Sequence, residues 1–398
     1  MEMDSPTEQI ICLKTLIIGN WSLEDKLDYH TTIATVFQEL GRYYDSNKHI
    51  TEAIKITESF EQTESNIFKI ANFNYLLAFG AVELGNLSNA MISAKKAQQL
   101  FEQIKSAEGL ALVYDVQSLI SLAYHNYSEA IQKAEKSLLI RKEISRSPES
   151  MSVSLNNLGE IYRTAGKLEE ALKCYEESKD LYMSNKDITG LAIVFNNIGL
   201  TLADLGNLDE AIKNLEESQI LFESIKIFDV ECSLDYTNIL TRAKKLPEAR
   251  TVLKKVCLEL EKNRSNKNLC LYYIIGGKIE IAQKNLSLAW EHLSQANTIA
   301  EHFEFILLSI ETKLRLAETA FFFARLEKPD LWLEQAGELI NKAIVLATSI
   351  RHALLLRELR QMLLKLKNLT KNPSGKHEEL DIIAYLNYVA EMVETTRS

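Results

Sequence analysis

Gly166-Lys-Leu-Glu-Glu-Ala171-Leu-Lys-Cys-Tyr175-Glu-Glu-Ser178 returns forty residues later as Gly206-Asn-Leu-Asp-Glu-Ala211-Ile-Lys-Asn-Leu215-Glu-Glu-Ser218. Gly85-Asn-Leu-Ser-Asn-Ala90 and His125-Asn-Tyr-Ser-Glu-Ala130 stand before them, and Lys245-Leu-Pro-Glu-Ala249 and Asn285-Leu-Ser-Leu-Ala289 follow. With Ala53 in front and Ala336 behind, eight anchor alanines are spaced by 37, 40, 41, 40, 38, 40 and 47 residues. A fixed period of this size marks a repeat architecture.

Two further columns share the register. Twelve residues before the anchors stand Gly41, Ala78, Ser118, Gly159, Gly199, Thr237, Gly277 and Ala324, all small. Seven residues after them stand Phe60, Ala97, Ser137, Ser178, Ser218, Val256, Ala296 and Ala343, six of them small. Two antiparallel helices approach closely only where one sets a small side chain under the other's bulk. The first column therefore falls on a helix before a turn, and the anchor lies one turn into the helix after it. Each hairpin keeps an apolar face that only a neighbouring hairpin can cover, so the units must stack.

The small/anchor/small pattern resembles the tetratricopeptide repeat family over residues 25–345, most clearly in Leu155-Asn-Asn-Leu-Gly159-Glu-Ile-Tyr162 and Phe195-Asn-Asn-Ile-Gly199. It lacks the family's usual proline at the end of the second helix, and its period is nearer 40 than 34. The longer unit and the Asn-Asn-Leu-Gly style are similar to the subgroup of kinesin light chains and Pins-type adaptors. The resemblance implies an all-α, right-handed α-solenoid of about eight hairpins, with turns near Asn47, Asn86, Asn126, Gly166, Gly206, Lys245, Asn285 and Lys328. Residues 1–24 read as a leading helix and 25–345 as the solenoid. Residues 349–398, broken at Asn372-Pro-Ser-Gly375, read as a C-terminal pair of capping helices or, alternatively, as a tail that docks into a groove.

Composition narrows the function classes. The chain has 398 residues with 5 prolines and 14 glycines, too few breakers for many short strands. A formal charge of -10 makes nucleic acid a poor partner. No apolar run reaches membrane-spanning length, and Met1 to Pro6 carries no basic segment. Five scattered cysteines (Cys12, Cys174, Cys232, Cys257, Cys270) without a CxxC read as packing thiols in a reducing, cytoplasmic setting. Three Asn-x-Ser/Thr sequons, at Asn86, Asn126 and Asn285, fall at equivalent turns, where asparagine serves turn geometry.

No catalytic or cofactor motif is present. The seven histidines form no HExxH or i,i+4 pair, so no metal site is expected. Gly276-Gly277 begins no phosphate loop, and the paired glutamates fall on outward helix faces without the enclosed pocket that acid–base chemistry needs. The expectation is a protein that is not an enzyme and needs no cofactor.

One constellation points to binding. In stacked hairpins of this family the first helices line the concave surface. That register holds Asn156, Asn157, Glu160 and Arg163, then Asn196, Asn197 and Asp204, then Asp235, Asn238 and Arg242, with the aromatics Tyr75 and Phe79 earlier. Asparagine is unfavourable inside a helix because its amide competes with the backbone, so two Asn-Asn pairs at one repeat position need a cause. The family resemblance implies that Asn157 and Asn197 clamp the backbone of an extended peptide, donating and accepting at once. The alternative is that these amides bond to the neighbouring helix and hold the stack. Tyr75 and Phe79 suit an apolar pocket or core packing equally. The expected partner is another protein, bound through an extended or helical segment, with a homodimer through a terminal unit also admitted. A ligand- or peptide-responsive sensor and a structural subunit of a larger assembly are the rival functions.

Overall fold

A computed structural model of the chain describes residues 21–39, 42–144, 148–262, 265–303, 305–326, 329–349, 353–371 and 376–397. The described residues form helices and turns, with no strand among them. They divide into two compact units, one ending at Lys186 and the other beginning at Asp187. The expected leading helix falls largely outside the described residues.

The first unit holds four hairpins. They pair α1 (Leu23–Glu39) with α2 (Tyr43–Glu58), α3 (Glu64–Glu83) with α4 (Leu87–Gln103), α5 (Ala107–Ala123) with α6 (Tyr127–Ile144), and α7 (Pro148–Thr164) with α8 (Leu168–Asn185). The second unit adds four more. There α9 (Ile188–Asp204) pairs with α10 (Leu208–Ser224), α11 (Val230–Arg242) with α12 (Leu246–Lys262), α13 (Asn266–Ala282) with α14 (Leu286–His302), and α15 (Ile306–Ala324) with α16 (Pro329–Ser349). Two helices close the second unit, α17 (Ala353–Lys371) and α18 (Lys376–Arg397).

Local chemistry fixes the turns. First helices start on side-chain caps: Thr63, Ser106, Asp187, Asp229 and Ser265 each accept from the amide three residues on. Inside the hairpins, the residue five before the anchor is left-handed, with φ of 70° at Gly85, 57° at His125, 74° at Gly166, 86° at Gly206, 60° at Lys244 and 65° at Lys284. Glycine adopts this conformation without strain, so three of the six turns carry it. The sequon asparagines come one residue later. Asn86 caps α4 by accepting from the Asn89 amide, whereas Asn285 makes no such bond.

The small columns lie where the two helices of a hairpin touch, and their partners explain their sizes. A Cβ added to Gly159 would stand 2.6 Å from the Tyr175 ring, at Gly199 2.7 Å from Leu215, and at Gly277 2.6 Å from Leu293. Each partner is four residues past its anchor. Where that position holds Ala94 or Ala134, the facing residue grows to Ala78 or Ser118, so bulk is traded across the hairpin. Only Thr237 opposite Leu253 departs from this trade in the second to seventh hairpins. A column unseen in the sequence faces the third: Ser137 donates to the Ala111 carbonyl at 3.0 Å, Ser178 to that of Ser152 at 2.7 Å, and Cys270 to that of Ala296 at 3.3 Å.

The first and last hairpins correct the sequence reading. α2 begins at Tyr43, so Asn47 is not a turn, and Gly41 lies outside the described residues. The fourth residue of α2, where other hairpins carry the anchor, is Ser46, fully buried and donating to the Ala34 carbonyl at 3.0 Å. Ala53 belongs to the third column instead. Two columns seven residues apart both favour alanine, so the register slipped by two helical turns, and Phe60 in a small column was the sign of it. At the other end Ala336 and Ala343 are fully buried as expected. Ala324, however, ends α15 half-buried, because the inserted turn moves the contact back to Thr319 and Ala320.

α15 to α18 share one core, in which Ile310, Leu314, Ala336, Ile340, Leu359, Met362, Leu386 and Val389 are buried together. α18 lies along α15, where Arg315 donates to Asn387 and pairs with Glu318 at 3.0 Å. Tyr385 of α18 donates to Glu358 of α17. Cys232 and Cys270 are buried thiols; Cys174, half-buried beside glutamates, is pushed up to about 11, chiefly by burial.

Candidate functional site

In the second unit the expected inner residues bind one another. Asn196 of α9 donates to Asp235 of α11 at 3.0 Å, and Arg242 of α11 donates back to the Ala203 carbonyl at 3.2 Å, 3.9 Å from Asp204. Asn238 of α11 accepts from Lys278 of α13. These partners are about one repeat apart in sequence, so the bonds tie each first helix to the next. Asn196 and Asn238 are buried, and a buried amide needs such partners. Asn197, one residue on, is half-buried; its carbonyl accepts from Thr201 at 2.7 Å.

In the first unit the inner side of the hairpins opens into a cavity of about 810 Å³. α3 contributes Tyr75 and Phe79; α5 and its cap contribute Ser106, Glu108, Leu112, Asp115, Val116 and Leu119. The end of α6 adds Arg141 and Ile144, and α7 adds Ser150, Val153 and Asn157. Residues 108, 112, 115 and 119 fall at i, i+4, i+7 and i+11, so one face of α5 forms a wall of the cavity. Aromatic and aliphatic side chains share the lining almost evenly with polar and charged ones.

The polar groups have a definite order. Arg141 of α6 holds Asp115 of α5 at 2.5 Å and donates to Ser154 of α7, so one guanidinium fastens three helices. Both charges are mostly covered, at 11% and 19% side-chain exposure. Burial pushes the Asp115 carboxyl above its ordinary value, although Arg141 and Ser137 pull the other way. The Tyr75 phenol is raised chiefly by burial and then by the negative Asp115. Phe79 meets Tyr43 edge to face, with ring centroids 6.0 Å apart.

The structure thus sorts the twelve expected residues. Tyr75, Phe79 and Asn157 come together around the cavity. Asn196, Asp204, Asp235, Asn238 and Arg242 are joined in bonds between helices of the second unit. Asn156 and Arg163 are buried on α7, the latter beside the Tyr175 hydroxyl, and Glu160 and Asn197 are half-buried. Asp115 and Arg141 escaped notice in the sequence. Arg141 did leave a trace: it occupies the position eleven after the anchor, where other hairpins place Phe101, Tyr182, Phe222, Leu260 and Ala300. A lone arginine in an apolar column signals a buried partner.

Residues 114–184 and 150–224 match a family model described as tetratricopeptide repeat, and the hairpin geometry continues the same unit on either side. Residues 114–224 are thus a run of tetratricopeptide repeats. Among solved structures, a Rap protein complexed with Competence and Sporulation Factor has a TM-score of 0.56 at 11% identity, covering 87% of this chain and 98% of that one. Yeast Tom70 has a TM-score of 0.55 at 14% identity, covering 92% of this chain and 69% of that one. At such identities the similarity is one of fold. No curated protein matches the chain by sequence. Among its described residues no helix is long and apolar enough to cross a membrane, and no group of three or more metal-binding side chains occurs.

Proposed function

We propose that this chain is a binding scaffold, non-enzymatic, that takes an extended or helical segment of another protein into the cavity of its first unit. The observation that carries this reading is the cavity itself: about 810 Å³, walled by Tyr75, Phe79, Leu112, Val116 and Val153, with Asn157 at its edge. Helix-held side chains need no ordering when a ligand arrives, which lowers the cost of binding. Asn157 supplies an amide that pairs with any peptide bond. The Rap structure of the same fold was obtained with Competence and Sporulation Factor, which adds weight to a peptide or protein partner.

Selection from a phage-displayed library of random dodecapeptides on the immobilised full chain tests it. Val153 is 45% exposed, so Val153→Trp fills the cavity without disturbing a core. The wild type should enrich a consistent peptide family that the Val153→Trp chain does not hold. No enrichment, or equal enrichment on both chains, would count against the proposal.

A further inference from the structure

We infer that the first-unit cavity selects segments in which a lysine or arginine stands beside a bulky apolar residue, the cationic head seating at Asp115. The inference rests on the reading of that cavity as a binding site and adds the chemistry of its partner.

Charge is the first argument. The ionised side chains lining the cavity are Glu108, Asp115 and Arg141. Arg141 is already committed, holding Asp115 at 2.5 Å and donating to Ser154. Two carboxylates against one spent guanidinium leave the cavity one negative charge in excess.

Geometry is the second. Arg141 reaches Asp115 at Oδ2 and the Ser137 hydroxyl also bonds to it, yet a carboxylate carries two oxygens with about four lone-pair sites, so it keeps accepting capacity for a further donor. Glu108 lies two helical turns back on the same face of α5 and is exposed, so its charge reaches the mouth of the cavity. There it attracts a cation before the deeper contact forms.

The walls are the third. Tyr75, Phe79, Leu112 and Val116 form an apolar surface leading to Asp115. The methylene stem of a lysine or arginine covers such a surface while its head reaches a charge, and aromatic faces add a cation–π attraction. An anionic segment meets the opposite field throughout. The raised Asp115 carboxyl agrees: Arg141 and Ser137 together do not offset the burial of that charge, and a second cation would.

The same phage selection, scored by residue type, provides the test. The wild-type chain should enrich lysine or arginine next to leucine, phenylalanine or methionine, and deplete aspartate and glutamate. A synthetic copy of the leading peptide should bind the Asp115→Asn chain about tenfold or more weakly, the scale of losing one partner of a covered charge pair. Its copy with norleucine in place of the basic residue should bind both chains alike. Because Asp115→Asn strands Arg141, Glu108→Lys serves as the second variant at an exposed site. It should cost about threefold or more, mainly in association rate and only at low salt. Enrichment of apolar segments without a basic residue, or affinity unchanged in both variants, would overturn this inference while leaving the binding site in place. A selection that enriches nothing overturns both.

Discussion

Single side chains divide into those that hold the stack and those that face a cavity, and substitution separates the two. Asn196 is buried and bonded to Asp235 across one repeat. Asn196→Ala should cost about 1–3 kcal/mol in urea denaturation, because a covered hydrogen bond to a carboxylate is lost. Asn157 is half-buried at the edge of the cavity, and Asn157→Ala should cost less, about 0.5 kcal/mol, while weakening peptide capture. Equal destabilisation by both would show that Asn157 also holds the stack. Gly199 faces Leu215 at 2.7 Å and the Ala211 carbonyl at 3.0 Å from where a Cβ would stand. Gly199→Ala should therefore destabilise by about 1–3 kcal/mol, the cost of overfilling a packed contact. Lys284 has the opposite problem, with φ at 65°. Lys284→Gly should raise stability by up to about 1 kcal/mol, since L-residues pay about that to adopt the left-handed conformation.

At the scale of the element, the hairpin was legible because its constraint is steric and local. Close approach demands small residues at fixed spacing, and those appear in the sequence without any knowledge of partners. The exchange of bulk between Gly159 and Tyr175, or Ala78 and Ala94, was also present, but it shows only when the two helices are set side by side. The first hairpin misled because Ser46 stands at the anchor position and Ala53 at the next column. The cavity's ion pair was hidden for a different reason: Asp115 and Arg141 lie on different helices, and no local pattern links them. The first hairpin also carries a pH dependence. His30 of α1 meets His49 of α2 through their Nδ1 atoms at 2.9 Å, so one ring must donate and the other accept. Burial lowers the His30 pKa from 6.5, against the opposing charge of Glu52. Between the lowered value and 6.5 the unfolded chain takes up a proton that the folded ring declines, so stability falls as pH drops through that window. Amide hydrogen exchange, corrected for the intrinsic effect of pH, should show α1 and α2 opening more readily at pH 5.5 than at pH 7.5. His30→Gln should flatten that difference. An unchanged pH dependence in the variant would place its origin elsewhere.

On the scale of the molecule, the two units use the same inner positions for different ends. In the second, the bonds of Asn196 to Asp235 and of Lys278 to Asn238 fasten successive first helices. In the first, the ion pair of Asp115 and Arg141 lines a cavity of mixed polarity. Periodicity in the sequence revealed the common scaffold of both units. It could not reveal this difference, because identical Asn-Asn pairs stand in both units and only the helix opposite decides what each meets. Hydrogen exchange of the full chain with a saturating peptide from the selection puts the binding site directly to the test. The account predicts new protection in α3, α5, the end of α6 and α7, with α11 and α13 unchanged. Protection confined to the second unit, or none in a chain that holds the peptide, would contradict it.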